Sequence, residues 1–146
     1  MFLDWQKLDW TDRGRRASLW LTYDPKQAEA HVIVTWETFV GEDGVAAVAG
    51  TDGGKIVVDE EYDGCARITL ELFGDGPPCS ITCGIYEWMM HTRRFSSVTE
   101  GRSAFETMKH GLADIVDMIP NRSDPERDAK IERVTTAITR FVDAFP

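Results

Sequence analysis

This chain has few cysteines, no long apolar run and no surplus of basic charge, and each lack excludes something. Cys65, Cys79 and Cys83 are odd in number and form no CxxC pair. That is a poor disulfide framework and a poor zinc site, so reduced thiols are expected. No stretch approaches the ~18 apolar residues of a membrane span. MFLDWQKLDW at the start lacks the basic leader and apolar core of a signal peptide. Together these absences predict a cytoplasmic protein with no membrane partner, in which the NRS sequon at Asn121 has no consequence.

Catalytic and metal motifs are also lacking. There is no HExxH, no EF-hand loop and no zinc-ligand spacing. GTDGGKIVV resembles a phosphate-binding loop only superficially. Ala49 stands where the first glycine belongs, Ile56 replaces the magnesium-holding Ser or Thr, and a strand pattern follows where a helix N-terminus is needed. A hairpin turn is the expectation there. GRSAF lacks the second glycine of a nucleophile elbow and falls inside a helical pattern. No cofactor is implied, and the balance leans away from an enzyme.

Positive charge is scarce. The net charge is −9, and residues 37–63 hold eight acids against Lys55 alone, which is −7 of that total. Binding to nucleic acid or anionic lipid needs Lys and Arg to neutralise phosphate, so both are disfavoured. DRGRR at 12–16 is too short to reverse this. The block suits a basic protein partner, with Asp59, Glu60 and Glu61 as its steering charges.

The apolar residues alternate with period two through the first part of the chain, as in strands half buried in an antiparallel sheet. In RRASLWLTY, Ala17, Leu19, Leu21 and Tyr23 share one side and Trp20 the other; in HVIVTWETFV, Val32, Val34, Trp36 and Val40 share a side. Residues 41–54 read as a loop, an ambiguous short strand and a tight turn before KIVVDEEY. ARITLELF, GDGPPC and SITCGIYEW read as a hairpin. Pairing Phe73 with Ser80 sets Leu72 against Ile81, Leu70 against Cys83 and Ile68 against Ile85, all on one face, with Cys83 as a small core residue.

CGIYEWMMHTRRF at 83–95 continues the alternation and reads as the end of one long strand, 80–95, that outruns the core. Glu87 and His91 on that strand would be ~13 Å apart, too far for an acid–base pair. His91 and Arg93, ~7 Å apart, suit a grip on a carboxylate or phosphate, joined by Arg94 if the strand end twists. The competing expectation is that this polar end pairs with DEEYDG, placing Asp63 near Met90 and Glu61 near Thr92.

After Arg94 the period becomes helical. Ser97 and Glu100 form a capping box, and Phe105, Met108, Leu112, Ile115 and Ile119 mark a helix over 98–119. Asp124 as N-cap with Pro125 at the first helical position starts a second, with Ile131, Val134, Ile138, Phe141 and Phe145 on its apolar face. His110 is expected to pair with Asp114 on the surface. Strands first and helices last predict one α+β domain over 1–146. Residues 1–97 form an antiparallel meander of about four to six strands, and 98–146 an αα-hairpin packed on one of its faces.

The second face of that sheet then collects Trp20, Tyr86, Trp88 and Met90 as an aromatic patch suited to an interface, unless the Trp-rich N-terminus folds over it. The leading expectation is a non-enzymatic interaction module that binds a protein partner, for example a basic toxin or nuclease in the manner of immunity-type proteins by analogy, or a second copy of itself through the aromatic face. The alternative is a binding protein or enzyme for a small anionic ligand held by His91, Arg93 and Arg94.

Overall fold

A computed structural model describes residues 34–39 and 49–146. Five strands, β1 (Trp36–Thr38), β2 (Lys55–Tyr62), β3 (Ala66–Leu72), β4 (Cys79–Ile85) and β5 (Met89–Phe95), precede α1 (Val98–Asp117) and α2 (Arg127–Ala144). Each strand pairs antiparallel with the next, in the order β1-β2-β3-β4-β5. This is the α+β meander with two C-terminal helices packed on the sheet. The strand pattern around Trp20 and the loop at 41–48 lie outside the described residues.

Local chemistry sets the turns. Asp63 and Gly64, at φ 52° and 61°, both take the left-handed conformation that a type I′ hairpin turn demands, and Cys65 N–H closes it on Tyr62 O at 2.9 Å. The TDGG segment forms the expected tight turn, with Gly50 N–H donating to Gly54 O at 2.9 Å and Ala49 bridging to Lys55.

The β3–β4 register differs from expectation by two residues. Leu72 faces Cys79, Leu70 faces Ile81 and Ile68 faces Cys83, while Phe73 N–H closes the loop on Pro78 O at 3.1 Å. A slip of two leaves every side chain on its own face. Alternation is therefore blind to it.

A larger correction concerns 80–95, which is two strands. The chain reverses at Tyr86, Glu87 and Trp88, with Trp88 N–H donating to Ile85 O at 3.0 Å and Glu87 at φ 63°. β5 returns along β4, from Ile85 opposite Met89 to Cys79 opposite Phe95. It lies at the far side of the sheet from β1, so its polar residues do not pair with DEEYDG.

One sheet face carries the core. Ile68, Leu70, Ile81, Cys83 and Ile85 pack with Phe105, Met108, Leu112 and Ile115 of α1, all buried, and each fully buried large side chain contributes ~1.5–3 kcal/mol. Burial pushes the Cys83 thiol up to about 12, which suits an inert core cysteine. Tyr62 ties this face to the end of α1 by donating to Asp117 Oδ1 at 3.1 Å.

α1 begins as expected, with Glu100 N–H donating to Ser97 Oγ at 3.0 Å, though the Glu100 carboxylate accepts from Ser96 Oγ at 3.3 Å. It ends at Asp117, two residues early. α2 starts at Arg127, because Asp124 accepts from Glu126 N–H at 2.9 Å and from Lys130 Nζ at 2.5 Å and so organises the turn before the helix. His110 donates from Nδ1 to Glu106 O at 2.8 Å, one turn back, in place of the expected Asp114 pair. None of the described helices is long and apolar enough to cross a membrane.

Gly101 lets the first turn of α1 approach β4. A Cβ there would stand 2.5 Å from Cys79 Sγ. Gly101→Ala is therefore expected to lower stability by about 1–3 kcal/mol from overpacking, against a gain of ~1 kcal/mol in helix propensity. Adding Cys79→Ala should recover most of the loss. The urea midpoint measures both, and a midpoint raised by the single substitution would contradict the packing argument.

Candidate functional site

Strand parity sorts the polar residues onto two faces. Glu60, His91 and Arg93 lie on the helix-bearing face with the core. Asp59, Glu61, Arg67, Thr69, Glu71, Ser80, Thr82, Met90, Thr92 and Arg94 lie on the second face.

The second face is built from polar pairs. Arg67 donates to Asp59 through Nε at 2.8 Å and Nη2 at 2.6 Å, with side chains only 7% and 4% exposed, and its guanidinium lies 3.6 Å from the centre of the Phe39 ring. Thr82 and Thr92 hydroxyls meet at 3.1 Å. Glu71 is fully buried and accepts from Gly54 N–H at 3.1 Å and Asp52 N–H at 3.4 Å, so the TDGG turn closes over its carboxylate.

Arg94 completes the row. It binds Asp52 bidentately, Nε at 2.9 Å and Nη2 at 2.8 Å. That hydrogen bond, more than any other effect, holds the Asp52 carboxyl below the usual range. A depressed carboxylate pKa supplies stability above the ordinary carboxylate range and loses it as pH falls through the depressed value. The midpoint difference between the native chain and Arg94→Met is thus expected to be widest near neutrality and to close below about pH 4. Denaturant titrations at both pH values check this, and a gap that stays constant with pH would refute it.

The residues singled out from sequence are mostly engaged. Asp59 is buried against Arg67. Glu60 is ion-paired with Lys109 of α1, whose ammonium also lies 5.6 Å from the Trp36 ring centre. Glu61 is half-buried on the second face. His91 Nε2 lies 2.6 Å from Phe145 O, and its ring meets Phe141 edge-on at 6.4 Å. A carbonyl only accepts, so Nε2 carries the proton and fastens the end of α2 to β5.

Arg93 stacks 4.7 Å from the Phe95 ring centre and lies 4.0 Å from Glu100. With Arg94 on the other face, the structure does not bring His91, Arg93 and Arg94 to a common point. Among the described residues, no group of three His, Cys, Asp or Glu side chains could hold a metal ion.

The β4–β5 end differs. Tyr86 is 46% exposed and Met90 65% exposed, the two most exposed large apolar side chains among the described residues. Tyr86 N–H is held by Cys65 O at 2.8 Å, which fixes the turn against the β2–β3 hairpin. Trp88 turns instead to pack on the core. Of the expected patch, Tyr86 and Met90 are therefore exposed, Trp88 is half-buried, and Trp20 lies outside the described residues. Glu87 holds a left-handed conformation that costs a non-glycine residue ~1–2 kcal/mol.

Beyond this end runs β5, which among the described residues has a strand neighbour on one side only. Sequence reasoning missed this edge because it joined β5 to β4. Alternation gave no sign of it, since Ile85 and Met89 share a face across the turn. No family model, no curated protein and no solved structure matches this chain.

Proposed function

We propose that this chain is a non-catalytic interaction module that binds another polypeptide at the β4–β5 end of its sheet. The observation that supports it is the coincidence, at one place, of the exposed Tyr86 and Met90 with a strand paired on one side among the described residues. Amphipathic aromatics and methionine are favoured at such surfaces. The ionisable groups at the sites singled out point the same way among the described residues: Asp59 is taken up by Arg67, Asp52 by Arg94, Glu60 by Lys109 and His91 by Phe145 O, rather than converging on one reacting centre.

Native mass spectrometry of protein purified gently from its own cells tests this, with Met90→Asp and Tyr86→Ser as the surface variant. A bound polypeptide that the variant loses, while its melting temperature is kept, is the expected result. A stoichiometric small molecule retained by both forms would overturn it.

A further inference from the structure

We infer that β5 accepts a further strand on its outer side, supplied by an extended acidic segment of another protein. This rests on the proposed interaction role and specifies its partner.

The backbone is ready for it. All seven residues of β5 pair with β4 in continuous register, from Ile85↔Met89 to Cys79↔Phe95, without the bulge that interrupts β2–β3 between Ile56 and Val58. β5 contains neither proline nor glycine. It is thus an uninterrupted template whose outer N–H and C=O groups have no strand partner among the described residues, the situation in which an extended peptide adds by main-chain hydrogen bonds.

The side chains choose the partner. β5 carries Arg93 on the helix face and Arg94 on the second face, and no acid. Arginines on an edge disfavour pairing with a second copy, because Arg93 of each copy would sit diagonal to the other in a two-fold antiparallel pairing centred on Thr92. An incoming strand with two adjacent acids would complement both faces.

The acids already nearby leave capacity for this. Asp52 occupies Nε and Nη2 of Arg94, whose side chain is 61% exposed, and Glu100 stands 4.0 Å from Arg93, whereas a guanidinium carries five N–H donors. The acids of β2 are three strands away, ~14 Å at ordinary strand spacing, beyond the screening length of ~8–10 Å in physiological salt. They do not repel an acidic strand at β5 strongly.

Met90 completes the pattern. It shares the second face with Arg94, four residues away, so an antiparallel partner would read acid, acid, β-branched, any residue, apolar.

The probe is a synthetic peptide, TEEVTVT, added to the full chain at up to millimolar concentration and followed by amide NMR and hydrogen exchange. The expected result is protection of β5 amides, loss of binding when the peptide is N-methylated on the residues facing β5, and retention when the alternate residues are methylated. TKKVTVT should bind roughly 2- to 30-fold more weakly, the range set by two cross-strand charge pairs. Arg93→Gln with Arg94→Gln, which keeps the strand without its charges, should level the two peptides.

Equal binding of the two peptides to the native chain, absence of β5 protection, or a concentration-dependent dimer through β5 in sedimentation would each overturn the inference. Should the natural partner be lost in the Met90→Asp, Tyr86→Ser variant while β5 amides stay unprotected in its complex, the interaction role stands and strand addition fails.

Discussion

Arg67→Met is expected to cost about 3–5 kcal/mol, because it strands Asp59 as a buried charge with no counter-ion. The pair joins the adjacent strands β2 and β3, is bidentate, and is closed off by the Phe39 ring. A domain of this size has only ~5–15 kcal/mol in total, so the variant should be close to unfolded at physiological temperature.

The informative partner is Asp59→Leu made with Arg67→Met. Removing both charges should return most of the loss, since a buried ion pair is worth little against an apolar pair of similar volume. Urea midpoints at constant m-value measure this. A single-variant loss below ~1 kcal/mol, typical of an exposed pair, would show that water reaches this pair.

Gly50→Ala should be nearly as damaging, at about 2–5 kcal/mol. A Cβ on residue 50 would fall 1.8 Å from Glu71 Cδ and 2.1 Å from both carboxylate oxygens. The space a side chain would fill is occupied by the buried Glu71 carboxyl group. Alanine must open the TDGG turn or shift the carboxylate away from its Gly54 and Asp52 N–H donors.

Glu71→Ala supplies the control. It removes the obstacle and leaves the N–H of Gly54 without its acceptor, so it costs something alone. In that background, however, Gly50→Ala should cost far less, giving a coupling of about 1–3 kcal/mol in a double-mutant cycle. Additive losses would mean that the clash is relieved some other way.

How much of this was legible in the sequence depends on which differences alternation can detect. The class, the two helices and the core face of β3 and β4 follow from period and capping signals, and Phe105, Met108, Leu112 and Ile115 lie where helical spacing puts them. The reversal at 86–88 did not show, because three turn residues preserve odd–even parity. Ile81, Cys83 and Ile85 share their face with Met89, His91 and Phe95 whether or not the chain turns between them.

The two-residue slip between β3 and β4 is silent for the same reason. The Asp52–Arg94 pair joins positions 42 apart, and no local pattern carries that information. His91 was legible as a polar interruption. Its role as a fastener depends on where α2 ends, which only packing decides.

A meander also has a history in time. Every described strand pairs with the next described strand in sequence, so these strands can pair one after another as the chain leaves the ribosome, with few long-range contacts to wait for. The helix that seals the apolar face, α1, follows all five of these strands. At ~5–20 residues per second, the 20 residues of α1 take roughly 1–4 s to synthesise, during which Ile68, Leu70, Ile81 and Ile85 lack the helix that buries them. For that interval the exposed apolar face is the part of the nascent chain most open to aggregation.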